Sequence, residues 1–223
     1  KAIFGEHPLG RPVIGSREAV ALLNRESLLS FWEERLYGRN ILLSVSGKVS
    51  HKEILDTFSP PLEHIKSNGH TSARTQPSSV NKREFLERDL AQVHLAMGYE
   101  APPLKHEMRM PCAILNCILG GTMSSRLFQK VREQEGLVYS VYSSYAPYSD
   151  TGIFSVYFAA EKEDVNRVLR IVKEENLALI RQGPTEEELL NAKEYLLASI
   201  YLGSETPESR MFRNAKSEMH LGR

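Results

Sequence analysis

The sequence has few cysteines, no excess of charge of either sign and no long hydrophobic run. Its 28 Lys and Arg residues balance 28 Asp and Glu residues among 223, so it lacks the basic excess of a protein that binds nucleic acid phosphates. No apolar run approaches the roughly 20 residues of a membrane-spanning helix. With 41% hydrophobic residues, the composition excludes a disordered or fibrous chain. We therefore expect a globular protein that binds neither nucleic acid nor membrane.

The two cysteines, Cys112 and Cys117, lie five residues apart in a stretch with helical periodicity. Residues at that spacing point in different directions from a helix, so we expect no disulfide between them. Free thiols are typical of a reducing compartment. We expect a cytoplasmic protein, with an organelle matrix as the alternative.

The hydrophobic pattern predicts an α+β fold in three parts. Residues 1–62 form the first part and residues 82–223 the last. Between them, residues 63–81 lose periodicity and are rich in Ser, Thr, Asn, Gly and Pro, which indicates a linker. Because strands and helices come in blocks and do not alternate regularly, the pattern favours α+β over a parallel α/β sheet.

The first part predicts two helices with a strand between them. Apolar residues at helical spacing indicate a helix at Arg25–Tyr37. A short apolar run at Ile41–Val45 predicts a strand, and a second helix is expected at Ser50–Phe58. We expect Pro60-Pro61 to end that helix, because proline lacks the amide proton that a helix requires.

The last part predicts two strands, two helices, a hairpin and three further helices. The expected strands are Arg83–Leu90, Gln92–Gly98, Val138–Tyr148 and Gly152–Ala160. The expected helices are Pro111–Leu119, Ser124–Glu135, Glu163–Gln182, one that begins after Thr185 and one that begins at Thr206-Pro207. We expect Gly120-Gly121 to end the first of these helices. The small polar residues 149–152 are suited to a tight turn between two strands. Glu188, three residues after Thr185, completes a capping box.

Common catalytic motifs are absent from the sequence. It contains no Cys-x-x-Cys pair, no glycine-rich phosphate loop and no Gly-x-Ser-x-Gly motif. No two histidines are four residues apart, so no helix turn presents two imidazoles to one metal ion. The seven histidines are His7, His51, His64, His70, His94, His106 and His220. We expect no metal site in this chain.

Residues 119–143 carry the most specific motif, LGGTMSSRLFQKVREQEGLVYSVYS. It closely resembles the second-half signature of the M16 zinc metallopeptidases, the family of insulinase, pitrilysin and mitochondrial processing peptidase. Further segments resemble the family in the same order, so that the similarity covers nearly the whole chain. These segments are His7–Pro12 with Ile14-Gly15, Tyr148–Gly152, Pro184–Leu189 and Arg210–Arg223.

The resemblance implies two similar α/β-sandwich-like halves that enclose a chamber. This chain would hold the end of the first half and most of the second. In the family, a His-x-x-Glu-His helix and a downstream Glu in the first half hold zinc, and by family order these residues are expected before Lys1. The parent protein is then a zinc metalloendopeptidase that hydrolyses short or unfolded peptides, whereas this chain alone is expected to be inactive.

The resemblance also implies catalytic roles for Arg132 and Tyr139. They match an Arg and a Tyr that reach across the chamber, position the substrate and stabilise the oxyanion. Fixed hydrogen-bond donors aimed at the developing negative charge lower the barrier to peptide hydrolysis. Gly136 is expected to make the turn that brings both residues to one edge. Without the resemblance, Arg132 would be a solvated helix residue and Tyr139 a half-buried strand residue.

Other residues near the motif have structural interpretations. Ser124, Ser125 and Arg126 are expected to cap and solvate the helix. Tyr142, Tyr145 and Tyr148 are expected to pack in the core, with a place in the chamber wall as the alternative.

Two other functions stay open at this point. The second hypothesis is that the parent is a non-catalytic M16 partner or scaffold, in a homo- or heterodimer, that lends Arg132 and Tyr139 to a zinc-bearing chain. The third alternative is a binding module that retains the motif without using it. Zinc ligands upstream of Lys1 favour the enzyme, and a degenerate motif there favours the partner subunit.

Overall fold

The computed structural model describes residues 1–67, 69 and 74–222. Its contacts divide the chain into two units. The first unit joins Lys1–Gly10 to Gln76–Ile200, and the second joins the described residues of Arg11–Thr75 to those of Tyr201–Arg223. The predicted linker at 63–81 lies partly outside the described residues, as do His70 and Arg223. The predicted three-part division stays a prediction.

The first unit is built on a three-stranded antiparallel sheet. Its strands are β1, Val93–Ala101, β2, Val138–Pro147, and β3, Gly152–Ala160, in the order β1-β3-β2. The predicted hairpin between β2 and β3 is confirmed. At its turn the Tyr148 amide donates a hydrogen bond to the Thr151 carbonyl at 2.8 Å. Together with the helices, this sheet confirms the α+β class.

One face of the sheet carries the hydrophobic core. On β3, Val156, Phe158 and Ala160 are fully buried, and they share a face because alternate strand residues point the same way. The helix α5, Val165–Gln182, packs its buried residues into the same cluster, as does the motif at residues 119–143. The members contributed by the motif and α5 are Leu119, Leu127, Val131, Leu137, Val138, Val141, Val168, Ile171 and Val172. The motif is therefore part of the core and not a surface loop.

The helices after the sheet agree with the sequence. They are α5, Val165–Gln182, α6, Glu186–Leu202, and α7, Pro207–Leu221. The predicted capping box at α6 is confirmed: the Thr185 amide donates to Glu188 Oε2 at 2.7 Å, and the Glu188 amide donates to Thr185 Oγ1 at 3.1 Å. Within the described part of the chain, no helix combines the length and apolar character needed to cross a membrane.

The second unit contains three further helices and α7. These are α1, Arg17–Ala21, α2, Arg25–Arg35, and α3, His51–Leu62. The expected helices at Arg25 and Ser50 are confirmed. The expectation that Pro60-Pro61 ends α3 is wrong, because both prolines lie in its last turn. The Glu63 amide still reaches the Ser59 carbonyl at 3.0 Å, so that turn closes without the proline amides.

Two predicted strands are not part of any sheet among the described residues. Ile41–Val45 and Arg83–Leu90 have no strand ladder, whereas the expected strand at Gln92–Gly98 is confirmed as β1. A strand requires a neighbour that satisfies its amides and carbonyls, and side-chain patterning does not supply one. The side-chain pattern therefore did not predict whether each of these segments pairs with a neighbouring strand.

The first motif helix differs from its prediction at its end. The helix α4, Arg109–Asn116, continues as a π-helical turn at Cys117–Gly121, so Gly120-Gly121 do not break it after Leu119. A Cβ on Gly120 would lie 2.5 Å from the Ser143 amide nitrogen of β2. Glycine is present here because the helix backbone approaches the strand closely.

The second motif helix is also π-helical. The predicted helix at Ser124–Glu135 contains a π-helical segment at Phe128–Gln134. A wider turn closes its end, where the Glu135 amide donates to the Lys130 carbonyl at 3.1 Å. Sequence periodicity does not distinguish this conformation from an α-helix, and π-helical turns are frequent at functional sites.

Candidate functional site

Arg132 and Tyr139 lie against each other at one end of the sheet. The guanidinium carbon of Arg132 is 5.1 Å from the centre of the Tyr139 ring. Arg132 belongs to the π-helical segment and Tyr139 is the second residue of β2. Gly136, with a φ of 62°, turns the chain between them, and the Leu137 amide donates to the Val131 carbonyl at 3.1 Å. The structure thus brings together the two residues that the motif singled out.

The Arg132 guanidinium contacts two aromatic rings. Besides Tyr139, the Phe128 ring centre is 4.8 Å from the guanidinium carbon. Both distances are within the roughly 6 Å of a favourable cation–π interaction. The one carboxylate within 4 Å among the described residues belongs to Glu133, at 3.8 Å from Nε. Because both side chains of that pair are exposed, the ion pair contributes little.

A β-bulge determines the direction of Tyr139. The register of β2 against β3 shifts between Val138 and Ser140. Val138 and Val141 are both buried although they are three residues apart, which leaves Tyr139 and Tyr142 on the opposite, open side. The Tyr139 side chain is 78% exposed, and its hydroxyl makes no hydrogen bond to any described residue. It is therefore free to donate to a ligand.

The open face of the sheet continues from Tyr139 as a row of aromatic rings across the three strands. The Tyr142 and Tyr157 ring centres are 4.9 Å apart. The Tyr157 hydroxyl is 2.6 Å from Nδ1 of His94 on β1. The expectation that Tyr142 packs in the core is wrong, since it is 45% exposed. Tyr145 packs against the core and donates to the Pro102 carbonyl at 2.6 Å.

Arg126 forms a partly buried ion pair and not the solvated helix contact expected for it. Its Nε and Nη2 atoms donate to Glu188 Oε1 and Oε2 at 2.6 and 2.7 Å, and its side chain is only 17% exposed. The Arg126 guanidinium lowers the pKa of the Glu188 carboxyl, and Glu188 raises the pKa of Arg126. The two-point contact holds the motif against the start of α6.

A second carboxylate ties the motif to α5. Glu175 accepts a hydrogen bond from Lys130 Nζ at 2.7 Å and lies 3.7 Å from Nη1 of Arg126. The Glu175 carboxylate raises the pKa of Lys130. Lys130 precedes Val131, whose side chain is fully buried. These contacts anchor the π-helical segment that carries Arg132.

Ser124 and Ser125 have structural contacts. Ser125 is buried and donates to the Thr122 carbonyl at 2.5 Å. The Ser124 hydroxyl lies 3.1 Å from the Thr122 hydroxyl. Both contacts lie in the turn before the helix. Neither hydroxyl accepts a helix amide from the described residues, so the expected side-chain cap is not observed.

The described residues do not fit a zinc ion. No group of three His, Cys, Asp or Glu side chains among them is placed to hold a metal. His94 is engaged with Tyr157, and Nδ1 of His106 accepts a hydrogen bond from the Met108 amide at 3.1 Å. A zinc site needs at least three such ligands converging on one point.

The sequence matches a known family and proteins about twice its length. The family model described as "Peptidase M16 inactive domain" matches residues 22–196. A Bacillus subtilis protein named "Uncharacterized zinc protease YmxG" is 34% identical over 229 residues, which cover 100% of this chain and 54% of that protein. A Mycobacterium leprae protein, also named a zinc protease, is 36% identical over 230 residues, with coverage of 100% and 51%. The chain spans about half the length of the curated relatives it matches.

Solved structures share the fold. The peptidase M16 inactive domain from Pseudomonas fluorescens superposes with a TM-score of 0.84 at 22% identity, over 96% of this chain and 51% of that one. A chain of Complex III2 from Candida albicans gives a TM-score of 0.85 at 18% identity, over 100% of this chain and 55% of that one. At these identities the superpositions establish the fold alone.

Proposed function

The chain belongs to the M16 peptidase family, and from this we propose that its parent protein is a zinc-dependent metalloendopeptidase to which Arg132 and Tyr139 contribute substrate positioning and oxyanion stabilisation. The observation that supports the proposal is the contact between the two side chains, with 5.1 Å from the Arg132 guanidinium to the Tyr139 ring. The zinc-protease names of its relatives support the parent's activity.

The two side chains have complementary donors. The N–H groups of the Arg132 guanidinium lie at the edge of its plane, where a peptide carbonyl can accept them. The Tyr139 hydroxyl is a compact second donor. Peptide hydrolysis places negative charge on the carbonyl oxygen, and two fixed donors stabilise that charge. In this proposal Arg132 holds the substrate backbone and Tyr139 donates to the oxyanion.

The proposal needs zinc ligands that the described residues do not supply. The described residues do not fit zinc, so the ligands belong to another part of the parent or to another chain. Large apolar side chains on α2 are more than half exposed, among them Leu28, Phe31 and Trp32. Contiguous apolar surface of this kind is typical of a protein interface. We propose that the zinc-binding part of the first half covers it and that the two halves enclose short or unfolded peptides.

The compartment is part of the same proposal. Cys112 and Cys117 are both free, which favours a reducing environment. We propose the cytoplasm, with an organelle matrix as the alternative.

Substitution in the parent protein tests the roles of the pair. Arg132→Ala and Tyr139→Phe are each expected to lower kcat/KM for a quenched-fluorescent peptide by at least about tenfold, the effect of removing one transition-state donor. Tyr99→Phe is the matched control, because Tyr99 is an exposed tyrosine on β1 near the end of the sheet opposite to Tyr139. Unchanged turnover in both variants, with the zinc motif intact, rejects the proposed roles.

A second candidate function is a non-catalytic subunit that lends Arg132 and Tyr139 to a zinc-bearing chain. The structural similarity to a chain of Complex III2 favours it, because that chain shares the fold within a multi-subunit assembly. The zinc content of the purified parent separates the two functions. One bound zinc per chain supports the enzyme; zinc-free parent that becomes active only with a second, zinc-bearing chain supports the partner subunit.

A further inference from the structure

We infer that Phe128 is a positioning residue for Arg132, whose guanidinium it clamps against Tyr139. The two rings come from different elements: Phe128 begins the π-helical segment and Tyr139 lies in β2. Their centres are 4.8 and 5.1 Å from the guanidinium carbon. The inference rests on the proposed function of Arg132 and gives a role to Phe128, a motif residue for which the resemblance implies none.

The two rings restrict the orientation of the Arg132 side chain, which the nearby charges do not. The Glu133 carboxylate is 3.8 Å from Arg132 Nε, beyond hydrogen-bond distance, and its side chain is half exposed. An exposed pair of this length does not fix a flexible side chain. Contact with two rings does restrict it, because the guanidinium can move little without losing its contact with one of them.

Phe128 itself is held in place by the backbone that carries it. The segment is anchored by Lys130, which contacts Glu175, and by Val131, which is fully buried in the core. The Gln129 amide donates to the Ser125 carbonyl at 2.9 Å. Phe128 is therefore carried by an anchored backbone, and its ring restricts the orientation of the Arg132 side chain.

The chemistry of phenylalanine limits its role to positioning. A phenyl ring has no proton to donate and cannot stabilise an oxyanion as Tyr139 can. Any contribution of Phe128 to turnover must pass through Arg132 or through folding. A double-mutant cycle distinguishes these two routes, because an effect that passes through Arg132 disappears once Arg132 is removed.

The test uses the parent protein, together with its zinc-bearing chain if that chain is separate, and a quenched-fluorescent peptide of about ten residues. Phe128→Leu is expected to lower kcat/KM about three- to tenfold, and Phe128→Tyr, which keeps the ring, to stay within about twofold of the wild type. In an Arg132→Ala background, Phe128→Leu is expected to change kcat/KM by less than about twofold. Glu133→Gln is the matched control beside Arg132 and is expected to have no effect.

A spectroscopic measurement makes the result independent of activity. The Nε–Hε NMR signal of Arg132 is expected to be shifted upfield by the two rings, and Phe128→Leu is expected to move it toward the position of an unstacked arginine. Thermal unfolding of each variant checks that the fold is retained.

Three outcomes overturn the inference. Wild-type turnover in Phe128→Leu while Arg132→Ala is impaired overturns it and leaves the proposed function standing. An equal loss in both backgrounds shows that Phe128 acts through folding. An Arg132 signal unchanged by Phe128→Leu shows that no clamp exists in solution. Full turnover in Arg132→Ala, by contrast, rejects the proposed role of Arg132, on which the inference rests.

Discussion

Arg126 and Glu188 face each other across 62 residues of sequence with two parallel hydrogen bonds of 2.6 and 2.7 Å. Glu188 is at the same time the capping residue of α6, since its carboxylate accepts the Thr185 amide. The pair therefore couples the helix of the motif to the beginning of α6. Both side chains are less than a third exposed, so solvent screens this pair less than a surface ion pair.

Glu188→Gln is expected to destabilise the parent by about 2 kcal/mol near neutral pH, because it removes a charge-assisted contact and leaves Arg126 without its main partner. Glutamine can still complete the capping box, so the difference reports the ion pair. Urea unfolding measures the change. Glu187→Gln, at an exposed position on the same turn, is the matched control and is expected to stay within about 0.5 kcal/mol.

The destabilisation caused by Glu188→Gln is expected to depend on pH. Arg126 lowers the pKa of Glu188 below its ordinary value of 4.5, so the pair stabilises the fold above that pH and loses its effect as the pH falls through the lowered pKa. The difference in unfolding free energy between wild type and Glu188→Gln should be constant at neutral pH and shrink in acid. A difference that grows as the pH falls contradicts this assignment.

Gly136→Ala is expected to destabilise the parent by about 1–2 kcal/mol, because its φ of 62° is strained for any residue with a Cβ. No atom lies within 4 Å of the position of that Cβ, so the cost is conformational and not steric. Gly183→Ala is the matched control, since Gly183 has a φ of 73° and equally open surroundings. Both variants should lower the unfolding free energy, but only Gly136→Ala should also lower peptide turnover. Equal turnover in the two would show that this turn does not position Tyr139.

Gly120→Ala tests the close approach of the π-helical turn to β2. The added Cβ would lie 2.5 Å from the Ser143 amide nitrogen, and backbone atoms can move only together with their strand. A loss of about 1–3 kcal/mol in unfolding free energy is expected, as for overpacking in a core. Gly38→Ala serves as the control, because its nearest neighbour would lie at an ordinary 3.6 Å. A Gly120→Ala protein as stable as the control would show that β2 can move away.

The two thiols are expected to differ in reactivity. Burial raises the pKa of both Cys112 and Cys117, which reduces the thiolate fraction at neutral pH. Cys117 is buried in the core whereas Cys112 is partly accessible, so iodoacetamide should label Cys112 first and both more slowly than an unfolded thiol. Mass spectrometry of the native parent measures the order of labelling, and urea should abolish the difference. Preferential labelling of Cys117 would contradict its burial.

The sequence predicted the contacts between residues that are close together in the chain. Thr185 and Glu188 are three residues apart, and the hairpin turn spans residues 149–152, so residue type alone indicates both. The proximity of Arg132 and Tyr139 also follows from a single turn at Gly136. Such contacts need no knowledge of the rest of the fold.

Contacts between distant segments were not predictable in the same way. Arg126 is next to two serines that indicate a helix start, and nothing local indicates Glu188 as its partner. Arg83–Leu90 has the composition of a strand, but pairing depends on a neighbour elsewhere in the chain. The Phe128 ring could have been found from its spacing of four to Arg132, which places neighbours on one helical face.

The division of the chain between the two units has a consequence for synthesis on the ribosome. The second unit contains α7 as well as residues from 11–75, and Ser44 donates a hydrogen bond to the Met211 carbonyl at 2.9 Å across 167 residues. The first unit has nearly all its residues once Ile200 has left the exit tunnel, whereas the second must wait for α7. Its early helices, with Phe31 and Trp32 exposed, therefore remain incomplete for the longest time during translation. Chaperone engagement is expected to concentrate on this nascent segment.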